Sequence, residues 1–236
     1  MPARRWQAGV AGSAVIVVAV VLTTGVGWLA TLRSQSSRYS VSAPVRRVEL
    51  AMSSGQALIM GTQSSTLQVR RTEQSSFGHG AREQRSLNDG ILRISSRCPK
   101  IVLGSCSASY ELAVPETVAV SVRTTDGDIL LTGFRGSATV QSTAGNVHVE
   151  AYCGFDLAAT TASGDVHIAA ACSPERLDVR TGSGNATVQV PPGRYRISAS
   201  SGAGQARVAG VIPDSRAPFT IGVHSQRGTV MISGGL

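Results

Sequence analysis

The chain has 236 residues, of which 42% are hydrophobic but only 4% aromatic, with 26 glycines and a formal net charge of +8 at pH 7. That length holds one ordinary domain plus an extra segment, and a chain rich in Ala, Val, Ser and Thr suits thin stacked strands better than a deep pocket lined with large side chains. The basic excess does not point to nucleic acid: the arginines are dispersed, no run of five or six basic residues occurs, and no aromatic-plus-basic motif is present.

Residues 1–7 form a short stub expected on the cytoplasmic side. Ala8 to Leu32 then runs for 25 residues without a charge. About 20 such residues cross a hydrocarbon core, so the run is expected to be a single transmembrane helix. Arg4 and Arg5 precede it, and Trp28 lies near its far end, where an interfacial indole is favoured. The run exceeds the apolar region of a cleaved signal and ends without an Ala-x-Ala site, which favours an uncleaved anchor. Arg33, Arg38, Arg46 and Arg47 follow the helix, so charge alone does not orient it. Residues 33–44 read as a polar spacer, and 45–236 as one extracytoplasmic domain.

Within that domain a turn recurs around Gly127, Gly145, Gly164, Gly184, Gly204 and Gly228, at spacings of 18, 19, 20, 20 and 24 residues. Two and four positions after each glycine the residue is apolar, as in Val147-His148-Val149 and Val166-His167-Ile168. Period two means a strand with one buried face. A second strand follows in most repeats, at Ala138–Val140, Asp156–Ala158, Leu177–Val179, Tyr195–Ile197 and Phe219–Ile221. Identical phase in successive repeats predicts an all-β solenoid of 18–24-residue coils, each strand stacked in parallel on its counterpart one repeat away. Glycine supplies the turn conformation, and Asp128, Asn146, Asp165 and Asn185 are placed to form a ladder at one corner. The glycine-rich nonapeptide that binds calcium in other β-rolls is absent. Upstream, Ser54-Gly55-Gln56 resembles Ala203-Gly204-Gln205, and further strands are expected at Thr66–Val69, Ile91–Ile94, Tyr110–Val114 and Val118–Val122. The polar stretch between Thr72 and Gly90 reads as a mobile loop. With nothing to cover it after Ile232, the last rung is expected to be an open edge available for self-association.

Cys153 and Cys172 each lie eight residues after their repeat glycine, so stacking brings them within disulfide range. That leaves Cys98 with Cys106, across Pro99–Ser105. Two disulfides imply an oxidising, extracytoplasmic setting, and the spacings are unlike those of zinc sites. No catalytic constellation emerges. His148 and His167 share a phase on an outward face without a third ligand, and carboxylates such as Asp126, Asp128 and Asp165 are sparse. No nucleophile elbow or phosphate-cradling loop is present. The sequence therefore predicts no catalytic, metal or cofactor site, and no enzyme.

The runs Thr124-Thr125-Asp126-Gly127-Asp128-Ile129, Thr161-Ala162-Ser163-Gly164-Asp165-Val166 and Thr181-Gly182-Ser183-Gly184-Asn185 resemble the adhesin-type β-strand-repeat family, also called the toast-rack domain, over roughly residues 45–235. The resemblance implies a bacterial envelope protein, often one connected with envelope stress, and carries no catalytic residues. Two roles are open: a non-catalytic binding, adhesion or scaffold module facing an anionic envelope polymer or partner protein, or a stress-response accessory acting through a partner. A solenoid enzyme that processes glycans is a third, weaker reading.

Overall fold

The computed structural model describes residues 33–100 and 104–235. The expected stub at 1–7 and anchor helix at 8–32 lie outside the described residues. Among the described residues no helix is long and apolar enough to cross a membrane; the domain is all-β.

The described chain opens with β1 (Arg33–Val41), β2 (Arg47–Ser54) and β3 (Ala57–Thr62). β4 (Leu67–Ser75), β5 (Arg82–Asn88), β6 (Ile91–Arg97) and β7 (Cys106–Pro115) follow. The regular part comprises β8 (Ala119–Asp126), β9 (Ile129–Thr132), β10 (Ala138–Ala144) and β11 (Val147–Tyr152), then β12 (Asp156–Ser163), β13 (Val166–Ala170), β14 (Arg176–Ser183) and β15 (Ala186–Val190). The chain ends in β16 (Arg194–Ser201), β17 (Ala206–Ala209), β18 (Ile212–Pro213), β19 (Thr220–Arg227) and β20 (Val230–Gly234).

These strands form two ten-stranded sheets facing each other across a thin core. The first runs β1-β4-β7-β3-β9-β11-β13-β15-β20-β17, and the second β18-β16-β19-β14-β12-β10-β8-β2-β6-β5. Each rung is a strand of the second sheet, a glycine corner, and a strand of the first sheet. The alternation read from the sequence is the burial pattern: Val147 and Val149, Val166 and Ile168, and Val230 and Ile232 are all buried, while the residues between them face out. Burying one Val, Ile or Leu contributes roughly 1.5–3 kcal/mol, so a few such residues per rung hold the stack together.

The order of stacking departs from the order of the repeats at both ends. From β8–β9 to β14–β15 each repeat lies on the one before it, in parallel and in register. The next rung is then β19–β20, the last in sequence, and the Gly204 repeat, β16–β17, lies outside it. Ile232 is therefore interior, and the open edge falls on β16, β17 and β18. An end rung is covered on one side only. The more apolar repeat, with Ile221, Val223, Val230 and Ile232 all buried, takes the covered slot. Ala206 and Val208 of β17 lie exposed at the end. Upstream, β2–β3 likewise inserts between β6–β7 and β8–β9.

Two further expectations are corrected. Residues 33–41, expected to be spacer, are β1, paired antiparallel with β4 from Arg33–Ser75 to Val41–Leu67. Most of the stretch expected to be a loop between Thr72 and Gly90 is the end of β4 and all of β5, the latter antiparallel to β6. Polar side chains hid these strands from a hydrophobic-pattern reading, because both lie at sheet edges and β5 buries little. The antiparallel strands end the parallel ladder at this pole. Beneath them sits a polar plug, where Arg71 pairs with Glu73 and Glu83, with side chains 16%, 13% and 14% exposed respectively. Glu83 also accepts from the Tyr110 hydroxyl at 2.8 Å, and Arg71 donates to the Ala81 carbonyl.

The structure joins Cys98 to Cys106 and Cys153 to Cys172, with Cα separations of 5.8 and 4.6 Å. The second bridge ties adjacent rungs across 19 residues of chain. By loop-closure entropy a link of that length contributes about 3 kcal/mol. Cys153→Ser/Cys172→Ser is expected to lose about that much in urea denaturation, and an unchanged midpoint would show that the stack needs no staple.

Buried phenols add a pH limit. Burial, with the Glu83 carboxylate nearby, pushes Tyr39 up to about 12. Burial likewise raises Tyr110 and Tyr152, the latter also near Asp156. A phenol raised on folding contributes stability that is complete below its unfolded value near 10 and lost as pH climbs through the folded value. Thermal stability is thus expected to be flat to about pH 9.5 and to fall above pH 10. Tyr39→Phe should blunt the first part of that fall, and a decline of the same onset and slope in the variant would rule Tyr39 out.

Candidate functional site

The glycine corner sets the geometry of the outer surface. At Gly164, φ is +143° and an added Cβ would run into the carbonyl oxygen of Gly145, one rung earlier. The same clash recurs from Gly127 through Gly145 and Gly184 to Gly228 and Gly204, so the backbones close into a continuous wall. The residue after the glycine makes the expected ladder. Asp128 Oδ1 accepts from Asn146 N at 2.7 Å, Asn146 Oδ1 from Asp165 N at 2.9 Å, Asp165 Oδ1 from Asn185 N at 2.7 Å and Asn185 Oδ1 from Thr229 N at 3.0 Å. These four side chains are spent on structure.

Three residues before the glycine a second ladder runs inside the corner. Ser142, Thr161, Thr181 and Ser225 each donate to the carbonyl of the glycine one rung earlier, at 2.9–3.1 Å. Thr124 occupies the same phase, is 5% exposed, and its hydroxyl is without a hydrogen-bond partner.

Alongside that corner, the outer face of the second sheet carries a groove of about 950 Å³. Its floor is a row four residues before each glycine: Arg123 lies beside Gln141, Gln141 beside Thr160, Thr160 beside Arg180, and Arg180 beside His224. A second row two residues further on holds Thr125, Thr143, Ala162, Gly182 and Gln226. β2 and β6 extend the groove past Ser53 to Arg97. From Arg97 to His224 is six rung steps, or about 29 Å at roughly 4.8 Å per step.

The lining contains Arg97, Arg123, Arg180 and Arg227 and no acid. Arg97 and Arg123 form no ion pair with another described residue. Arg180 is held by Asp178 at 2.7 Å on the surface, and Arg227 donates to the Ser183 hydroxyl. Between the cations stand hydroxyls, the Gln141 and Gln226 amides and the His224 imidazole, and no Phe, Tyr or Trp lines the groove. Such a surface offers forked donors for anions and adaptable partners for hydroxyls.

His148 and His167, on the outer face of the first sheet, stand opposite each other with ring centroids 6.0 Å apart, and Thr187 follows them in register. No group of three or more His, Cys, Asp or Glu converges among the described residues. Asp126, Asp128 and Asp165 lie along the glycine corner, the last two within the side-chain ladder. The groove residues were missed in the sequence because the arginines read as dispersed. Aligning the repeats on their glycines and reading four positions back would have collected Arg123, Gln141, Thr160, Arg180 and His224.

No curated protein matches this sequence. Among solved structures the chain is similar to a candidate cell adhesion protein of Clostridium sporogenes, at 11% identity and a TM-score of 0.47, covering 86% of this chain and 100% of that one. Candidate adhesins of Bacteroides fragilis and Parabacteroides distasonis match at 12% identity, with TM-scores of 0.44 and 0.38, each covering 85% of this chain and 97% of the other. The family model described as Toastrack DUF4097 matches residues 31–215. That span is well over half of the sequence, and the chain belongs to the Toastrack DUF4097 family.

Proposed function

We propose that the chain is a non-catalytic binding module of the cell envelope, held at the membrane by a helix over 8–32 and presenting its β-domain outside the cytoplasm. The observation that carries the reading is the groove: a rigid, open trough of regularly spaced polar side chains, suited to an extended ligand rather than to a reaction centre. The two disulfides support an oxidising compartment for the domain, and the uncharged run at 8–32 supports the anchor. Self-association, if the module uses it, goes through the exposed edge of β16–β18.

The full-length chain should fractionate with membranes and be released when 8–32 is deleted. In neutral detergent it should co-sediment with purified envelope polymer in the absence of other protein. Recovery with a protein partner but not with polymer would replace this reading with the accessory role in envelope stress. Turnover of a glycan panel, lost on changing Asp126 or Asp165, would replace both with an enzyme.

A further inference from the structure

The groove is more specific than a general basic surface, and it allows the ligand class of the binding module to be named. Its cations do not form a patch. Counted in rungs from Arg97, Arg123 lies two steps along, Arg180 five, and Arg227 six, which at roughly 4.8 Å per step separates their strands by about 10, 14 and 5 Å, with Arg97 two residues and Arg227 three residues along the strand from the row of Arg123 and Arg180. A single small anion meets one of these and gains nothing from the rest, whereas a linear chain with repeated charges meets all four. The intervals between them are floored by Gln141, Thr143 and Thr160, which donate and accept and so match hydroxyls rather than further charge.

Three features narrow the chemistry. The lining has no Phe, Tyr or Trp side chain and only the His224 ring at one end, so it lacks the row of stacking platforms that holds single-stranded nucleic acid. The lining runs continuously across the rungs from Arg97 to Arg227, which suits an anion carried within the backbone of an extended ligand. Guanidinium forks match the paired oxygens of such an anion bidentately. We propose that this groove binds a linear phosphodiester-linked polyol chain, laid across the rungs from Arg97 to Arg227. The assignment rests on the binding-module reading and deepens it.

Asp178 gives the proposal a second handle. Its carboxylate occupies the Arg180 guanidinium at 2.7 Å without lining the groove itself. A phosphodiester reaching Arg180 must compete with that pair. Removing the Asp178 charge therefore strengthens binding, an effect in the opposite direction to loss of an arginine and one that instability of a variant would not mimic.

The test titrates the full-length chain in neutral detergent with synthetic poly(glycerol phosphate), followed by calorimetry at two salt concentrations. Binding is expected, weaker at the higher salt as screening requires. Arg123→Gln and Arg180→Gln should each weaken it about tenfold, the scale of one charge-assisted contact. Asp178→Asn should tighten it severalfold, and Arg207→Gln, on the first sheet, should leave it unchanged. Dextran, polygalacturonate and a thymidine oligonucleotide serve as comparison ligands. Dextran binding as tightly would remove the role of charge. Equal binding of polygalacturonate or the oligonucleotide would overturn the phosphodiester-polyol assignment, and so would groove variants that bind as the unaltered chain does. Retention on envelope polymer together with indifference to the groove variants would leave the binding module standing and the groove assignment refuted. Binding to neither material would refute both.

Discussion

Gly164→Val should leave the domain unable to reach its folded state at ambient temperature. Gly164 combines a φ of +143°, which a β-branched residue does not tolerate, with a Cβ position already occupied by the Gly145 carbonyl oxygen. The backbone term is about 1–3 kcal/mol and the overpacking term another 1–3 or more. Together they approach the 5–15 kcal/mol that holds a typical domain. The cost cannot be relieved locally, because the clashing atom is backbone and belongs to the next corner in the same ladder. Gly222→Ala is the matched control: it lies in β19, where the nearest atom to a new Cβ is the Leu177 carbonyl oxygen at 3.9 Å. It should stay within about 0.5 kcal/mol of the parent. Far-UV circular dichroism and urea denaturation of the two variants read the difference. A cooperative transition at the parent midpoint in Gly164→Val would mean that the corner is not rigid.

Arg71→Met should cost about 3–5 kcal/mol, the penalty for leaving buried carboxylates without their counter-ion. Arg71 is the cation of the plug beneath β1 and β5, and both Glu73 and Glu83 turn to it. Without it two largely buried acids lose their shared counter-ion, and Arg85, with its side chain 51% exposed, reaches only Glu83. The triple variant Arg71→Met/Glu73→Gln/Glu83→Gln removes the stranded charges and should recover most of the loss, because a buried ion group replaced as a unit is often near neutral. Equal destabilisation of the single and triple variants would show that packing by the Arg71 side chain, not its charge, holds the plug. The same experiment separates the cap from the ladder, since the groove lies on the outer face of the second sheet and its arginines do not touch the plug.

Much of the fold is legible in the sequence. Period-two alternation after Gly127, Gly145, Gly164 and Gly184 is a local consequence of one buried face, and it places β8 to β15 in the right sheets and the right order. The positive φ of those corners and the Asp128-Asn146-Asp165-Asn185 ladder follow from backbone sterics and short side chains, which need only neighbouring repeats. Equal phase likewise brings Cys153 to Cys172. In each case the information is repeated along the chain, and stacking of like on like converts it into structure.

The tertiary structure alone decided what happens where like repeats compete for position. Every repeat presents the same edge, so nothing local says that β19–β20 lies on β14–β15 in place of β16–β17, or that β2–β3 inserts under β6–β7. The choice is made by total burial, which rewards putting Ile221, Val223, Val230 and Ile232 inside and leaving Ala206 and Val208 at the end. That choice shapes the candidate site: His224 stands beside Arg180 because the Gly228 repeat moved inward, and Arg97 joins the groove because β6 lies beyond β2. The phase of the groove residues was written in the repeats, but which of them are neighbours was settled by the packing of the two ends.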